Sequence, residues 1–294
     1  MRVTESMIFA SAIAQTETSR ENLQQAQNQV SSGLRVVQPG DDPAAASIAV
    51  TDDIDQARFT SIGKNAQLAA SELDAADTAL DGITTNANRA LQLATQFGND
   101  TYNASDRATA AVEVQGLSQT IIGLLNTTFS ERYIFGGDKD NAPPFDGNGN
   151  YVGDPGVRTV EVAPGQFQAA SLDANAIVKG GSNGVDLLQS LSDLQTALKN
   201  NDGAGIRAEV DNLTAGIKQL AAGRAQAGIE QDAFQNAVST AQAAASGETV
   251  QVGKLLDADI ISASTQLASA QYALNATLTA AAKTFSMSLA DKLP

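Results

Sequence analysis

Apolar residues recur alternately three and four apart from Phe59 to Phe97, through Ile62, Ala66, Ala69, Leu73, Ala76, Leu80, Ile83, Ala87, Ala90 and Ala94, with no polar residue in the series. That spacing predicts a sustained heptad seam on one helix roughly 60 Å long at about 1.5 Å per residue. A seam of this length cannot remain exposed, and its many alanines demand close approach by a partner helix.

Candidate partners lie toward both ends of the chain. Residues 8–36 place Ile13, Leu23, Val30 and Leu34 at approximate heptad spacing, and residues 255–289 repeat the pattern through Leu256, Ile260, Ala263, Leu267, Ala270 and Leu274. Further helices are predicted over 105–130, with Val114, Ile121 and Leu125, and over 205–245, where Ile206, Val210, Leu213, Ile217 and Leu220 keep register until Arg224. The character changes at Gly136. Residues 136–184 hold four of the seven prolines and many glycines, asparagines and aspartates, which mark turns. Within them "VRTVEVA" alternates Val160 and Val162 with Thr159 and Glu161, the pattern of a short strand with one covered face.

The predicted fold is therefore mainly α with a small β-containing insert: long antiparallel coiled-coil helices from both termini plus an outer domain. Its parts are an N-terminal assembly helix (1–40), the N-terminal part of a helical rod (41–135), the insert (136–184), the C-terminal part of the rod (185–254) and a C-terminal assembly helix (255–294).

The stretch "SSGLRVVQPGDDPAAAS" (31–47) interrupts the helical pattern. Pro39 and Gly40 are expected to end the first helix, Asp42 to cap the next one, and Pro43 to occupy its first turn with a preset φ. The rival reading of this acidity is a metal site formed by Asp41, Asp42, Asp52 and Asp53.

Composition narrows the chemistry. The chain has 294 residues, 43% of them hydrophobic but only 4% aromatic, so small side chains must do most of the packing. A formal charge of −15 repels phosphate backbones and argues against a nucleic-acid partner. Histidine and cysteine are both absent, which removes the usual nucleophile–base pairs, most zinc sites and any disulfide. No apolar run approaches the roughly 18 residues of a membrane span, so membrane insertion is not expected. "MIFASAIA" (7–14) after Arg2 has the small-residue spacing of a cleavable leader. Thr4, Glu5 and Ser6 interrupt the start of that apolar stretch, however, and the helical register continues from Gln15, so the segment reads as the start of the mature chain.

"DGNGNYVGDPGV", from Asp146, matches a calcium loop at Asp146, Asn148 and Asn150 but carries Tyr151 where glycine is needed and Val157 where a bidentate Glu should close the cage. Turn chemistry alone explains the same residues. Paired carboxylates such as Glu72 and Asp74, or Asp257 and Asp259, are two apart on helices and read as solvated faces. No phosphate-cradling glycine motif occurs. No catalytic residue, metal ligand or cofactor is predicted, and the chain is read as a non-enzyme.

At this point the residues resemble a known family. "QVSSGLRVVQPGDDPAAAS" (29–47) resembles the N-terminal signature of the bacterial flagellin superfamily, and "ADIISASTQLASAQYALNATLTAAAKTFSMSLADKL" (258–293) is similar to its paired C-terminal helix. Together these cover roughly residues 1–135 and 205–294. Within that superfamily "ERYIFGGDKDNAPPF" (131–145), "YVGDPGVRTVEVAPGQ" (151–166) and "GRAQAG" (223–228) resemble segments of the FlgL-type hook–filament junction proteins. The ordinary flagellins, filament subunits with a different central region, are the alternative. The end "SLADKLP", with Asp291, Lys292 and Pro294, departs from the apolar and acidic tail of the family.

The resemblance implies a secreted structural protein, exported through the flagellar type III channel and located at the hook–filament junction of the bacterial flagellum. It implies a ring of identical subunits, a neighbouring hook-associated protein on the hook side, flagellin on the filament side, and an export chaperone. The assembly residues it points to are Leu23, Val30, Ser31, Ser32, Gly33, Asp41, Asp42 and Pro43 near the N-terminus and Ile260, Leu267, Ala270 and Leu274 near the C-terminus. Tyr133, Phe135 and Gly137 mark entry to the insert. Each of these residues equally fits local packing or capping within one subunit. Residues 1–40 and 255–294 are expected to be poorly ordered in the monomer and to fold on assembly. A calcium-dependent adhesin or carboxylate hydrolase carried by residues 136–184 is the reading from another class.

Overall fold

The computed structural model describes residues 5–181 and 184–290, with side chains described over 7–181 and 184–283. Seven helices and four short strands follow in the order α1 (Glu5–Ser32), α2 (Pro43–Phe97), α3 (Ala104–Leu125), β1 (Thr128–Phe129), β2 (Arg132–Tyr133), β3 (Thr159–Ala163), β4 (Gln166–Ala169), α4 (Ala174–Lys179), α5 (Leu187–Lys199), α6 (Gly203–Leu256) and α7 (Ile260–Ala290). The strands form two separate antiparallel hairpins, β1–β2 and β3–β4. The chain divides into two compact units, one of residues 1–58 with 244–294 and one of residues 59–243.

In the 59–243 unit the long seam is buried as its period predicts. Every member from Ile62 to Ala94 is inaccessible, and Phe59 and Phe97 at the two ends are half-buried. Its alanines admit close approach: a Cβ on Gly63 of α2 would meet the Ala241 Cβ of α6 at 3.5 Å. The facing row on α6 runs through Ile206, Leu213 and Leu220 and continues past Arg224 to Ala227, Phe234 and Ala237, beyond the predicted end of register. Arg224 itself spans to α2, with Nε 2.8 Å from Asp77 and Nη1 2.6 Å from Asp81. Their hydrogen bonds and charges raise its pKa further above the ordinary guanidinium value, Asp77 foremost. Val114, Ile121 and Leu125 of α3 are buried as expected, and α3 packs on α5.

The predicted boundaries shift at several places. The helix expected over 105–130 stops at Leu125, and β-structure begins at Thr128, before Gly136. The Asn126 side chain explains the stop. It exchanges hydrogen bonds with the backbone of Phe145, donating at 2.9 Å and accepting at 3.0 Å, and so ties the end of the helix to the insert. Strand β3 forms where expected, but Val160, Glu161, Val162 and Ala163 are all half-buried, so it lacks one clean covered face. Helix α4 inside the insert and α5 after it are capped by Asp173 and Asp186, whose carboxylates accept backbone amides of the first turn.

In the other unit α1 pairs with α7. Residues 33–35 meet residues 256–258, while Ala12 and Thr16 line the same groove as Leu278 and Ala282, so the two helices run antiparallel. The unit also contains the start of α2, with Ala45, Ala49 and Asp52 buried, and the end of α6, which α2 meets through a Gln56–Thr249 hydrogen bond of 3.1 Å.

Candidate assembly surface

The α1–α2 connection is tied to the α6–α7 connection by backbone. Arg35 N donates to Leu256 O at 2.6 Å, Ala258 N donates to Gly33 O at 2.8 Å, and Leu34 and Asp257 form an antiparallel bridge. Gly33 makes the turn possible. Helix α1 ends at Ser32, not at Pro39 and Gly40 as the sequence suggested, because Gly33 takes φ +73, a left-handed conformation that ends helices at little cost only in glycine. The exposed Ser31 and Ser32 hydroxyls both donate back to Asn28 O, at 3.1 and 2.7 Å.

The acidic pair then closes the loop. Asp41 Oδ2 accepts the amides of Val37 and Gln38 at 3.0 and 2.9 Å, and Asp42 Oδ1 accepts that of Ala45 at 3.0 Å, which makes Asp42 the cap that its sequence context predicts. Pro43 is the first residue of α2. Arg35 joins both connections, with Nη1 3.1 Å from Asp42 Oδ2 and Nη2 2.7 Å from Leu255 O. The Ala45 amide first, and then Arg35, hold the Asp42 carboxyl below the usual carboxylate range.

The carboxylates weighed as a metal site have other occupations. Asp41 and Asp42 serve the turn and the cap, Asp52 is buried with Oδ2 unpartnered, and Asp53 is exposed. No three or more acidic residues are arranged to hold a metal ion among the described residues. Asp146 closes its own turn in the same way. Its Oδ1 accepts the amides of Asn148 and Asn150, each at 2.8 Å, and its Oδ2 accepts Asn150 Nδ2 at 2.9 Å, the contact that lowers its pKa most.

Along the helix pair, Leu23 and Val30 of α1 and Leu267, Ala270 and Leu274 of α7 are half-buried, and Ala263 is buried. Ile260 lies off that face, 50% exposed, with Ile261 at 79% and Tyr272 at 77%. Met7, Ile8 and Ile13 of α1 are exposed as well. Helix α7 is therefore an unusual surface helix: its 31 residues contain one charge, Lys283, and large apolar side chains face solvent. The tail residues Asp291, Lys292 and Pro294, and residues 1–4, 182 and 183, lie outside the described residues.

At the insert entry the marker residues are structural. Phe135 is fully buried, and half-buried Tyr133 donates its amide to Asp140 O at 2.8 Å. Gly137 is obligatory, since its φ is +64 and a Cβ there would lie 1.8 Å from Asp154 O. Sequence reasoning misplaced Glu72. It is not solvated but buried and ion-paired with Arg158 and Arg132 of the hairpin region.

A family model described as the bacterial flagellin N-terminal helical region matches residues 3–140. The flagellar hook-associated protein 3 of Escherichia coli K12 is 28% identical over 282 residues, covering 88% of this chain and 89% of that one. The crystal structure of Xanthomonas campestris FlgL shares the fold at TM-score 0.60 and 17% identity, covering 69% of this chain and 99% of that one. That of the flagellar junction protein FlgL from Legionella pneumophila does so at TM-score 0.52 and 13% identity, over 61% and 96%. The match to the hook-associated protein thus extends well beyond the N-terminal region of the family model, and the chain is similar to flagellar hook-associated proteins along most of its length.

Proposed function

We infer that this chain is a structural component of the bacterial flagellum, a hook-associated protein that joins hook to filament. One observation carries the reading: a relative that matches this chain over 88% of its length is a flagellar hook-associated protein, whereas the similarity to a flagellin covers 47%. The chain works by association with other flagellar components. The finer partners are proposals: identical subunits in a ring, a hook-associated neighbour on one side, flagellin on the other, and a chaperone before export to the cell exterior. No catalytic role is proposed.

The α1–α7 pair supports this reading physically. Apolar side chains such as Ile260, Ile261 and Tyr272 lie in solvent on a helix with one charge, and covering them with a neighbour's helices would release that surface from water. Leu23, Val30, Leu267, Ala270 and Leu274 then hold the pair together, while Ser31, Ser32, Gly33, Asp41, Asp42 and Pro43 set the joint from which it starts. Deleting the gene and imaging the flagella tests the role. Bare hooks with filament protein released into the medium are expected; filaments of near-normal length would identify a redundant filament subunit instead.

A further inference from the structure

We propose that the cleft between α2 and the two hairpins binds a neutral saccharide. The cleft is a cavity of about 400 Å³ within the 59–243 unit, a volume in the range of small-molecule sites. Glu72, Arg132 and Arg158 of its polar wall belong to a closed ring of ion pairs that Asp140 completes from behind the lining. Glu72 Oε1 lies 2.5 Å from Arg158 Nη2 and its Oε2 lies 3.5 Å from Arg132 Nη2, while Asp140 Oδ2 lies 3.5 Å from Arg132 Nη1 and 3.8 Å from Arg158 Nη1. The Glu72 side chain is only 9% exposed, so the ring is anchored at its base.

Three properties of this wall select the ligand class. Among the lining side chains the guanidinium groups of Arg132 and Arg158 and the carboxylates of Glu72 and Glu161 cancel, so an anion meets the carboxylates and a cation meets the arginines, and neither gains from entering. Donors and acceptors alternate around the ring, and a sugar hydroxyl, which both donates and accepts, suits that alternation. The four side chains are already held by one another, so a ligand does not bear the entropy of ordering them.

The remaining lining suits the rest of a sugar. Leu68, 59% exposed, and half-buried Phe129 supply an apolar wall for ring C–H groups. Asn65, Ser130 and Thr159 bring further exposed polar groups to the rim. Ser130 is carried there by a two-residue hairpin turn in which both Ser130 (φ 48) and Glu131 (φ 66) hold left-handed conformations that usually call for glycine or asparagine. A strained turn at the mouth of a cleft is where binding groups are commonly found.

The test is an amide-shift titration of the full isotope-labelled chain with glucose, galactose, mannose, N-acetylglucosamine and maltotriose, with citrate and spermidine as charged controls. At least one sugar is expected to give saturable shifts clustered at residues 65–72, 128–133 and 158–161, with no such response to the controls. Asn65→Leu and Thr159→Val, both outside the ion-pair ring, are expected to keep the thermal midpoint and weaken binding roughly two- to tenfold, the effect of losing one hydrogen bond. Absence of saturable shifts with all five sugars, the same shifts with citrate or spermidine, or unchanged affinity in both variants would overturn the proposal.

Discussion

Tyr151 shows how much one side chain of the insert holds. Its hydroxyl donates to Asp154 O at 2.6 Å, its ring lies 5.2 Å from that of Phe145, and Gly153 packs so close that a Cβ there would meet the tyrosine ring at 2.8 Å. Burial first, and then the charges of Asp173 and Asp154, push its pKa up to about 12 from 10. The folded state therefore prefers the protonated phenol. The stability this contributes is complete below pH 10, is lost as pH rises from 10 toward about 12, and has no counterpart on the acid side. Alkaline unfolding followed by near-ultraviolet absorbance should show this loss between those limits, and Tyr151→Phe should remove that component of the pH dependence. The position was legible in sequence only as a mismatch, a tyrosine where a calcium loop needs glycine. Its role became visible once Phe135, Phe145 and Asp154 were placed around it.

At the scale of elements, the seam of α2 is built for close approach, and enlarging one of its alanines measures that. Ala87 is fully buried about three-quarters of the way along it. Ala87→Leu is expected to destabilise the 59–243 unit by about 1–3 kcal/mol through overpacking, read as a lower urea midpoint at unchanged m-value. The seam was fully readable because its period persists for eleven turns or so and each buried position is a neighbour in sequence space of the next. Helix α5 carried a signal too: Leu187, Leu191, Leu194 and Leu198 repeat at helical spacing behind the Asp186 cap, between glycine-rich and asparagine-rich breaks. Glu72 could not be read. Its partner Arg158 lies 86 residues further on, and no local pattern announces a pairing at that distance.

At the scale of the molecule, the two units differ in what covers their apolar surface. The 59–243 unit closes its own core around Leu73, Leu80, Ile83, Phe135 and Phe234. The unit made from the two chain ends leaves Met7, Ile13, Ile54, Ile261 and Tyr272 in solvent. Hydrogen exchange on the isolated chain at low concentration should therefore show rapid exchange along α1 and α7 and strong protection along α2 from Ile62 to Ala94, with the terminal helices gaining protection on assembly. Equal protection of both regions in a proven monomer would show that the α1–α7 pair needs no neighbour. This unit also marks the limit of sequence reading. The heptads of α1 and α7 were visible, but the exposure of Ile260 was not, because a helix with apolar residues on several faces does not declare which face its own chain will cover.

The backbone tie between Arg35 and Leu256 joins residues more than two hundred positions apart, as does the Arg35 side chain's bond to Leu255, 220 residues away. Contacts of such sequence separation carry the greatest loop-closure entropy and form late. Helix α1, made first, has no α7 to pair with until the other end of the chain is complete. The terminal unit is thus completed only when the whole polypeptide is present, and until then α1 carries its pairing face uncovered.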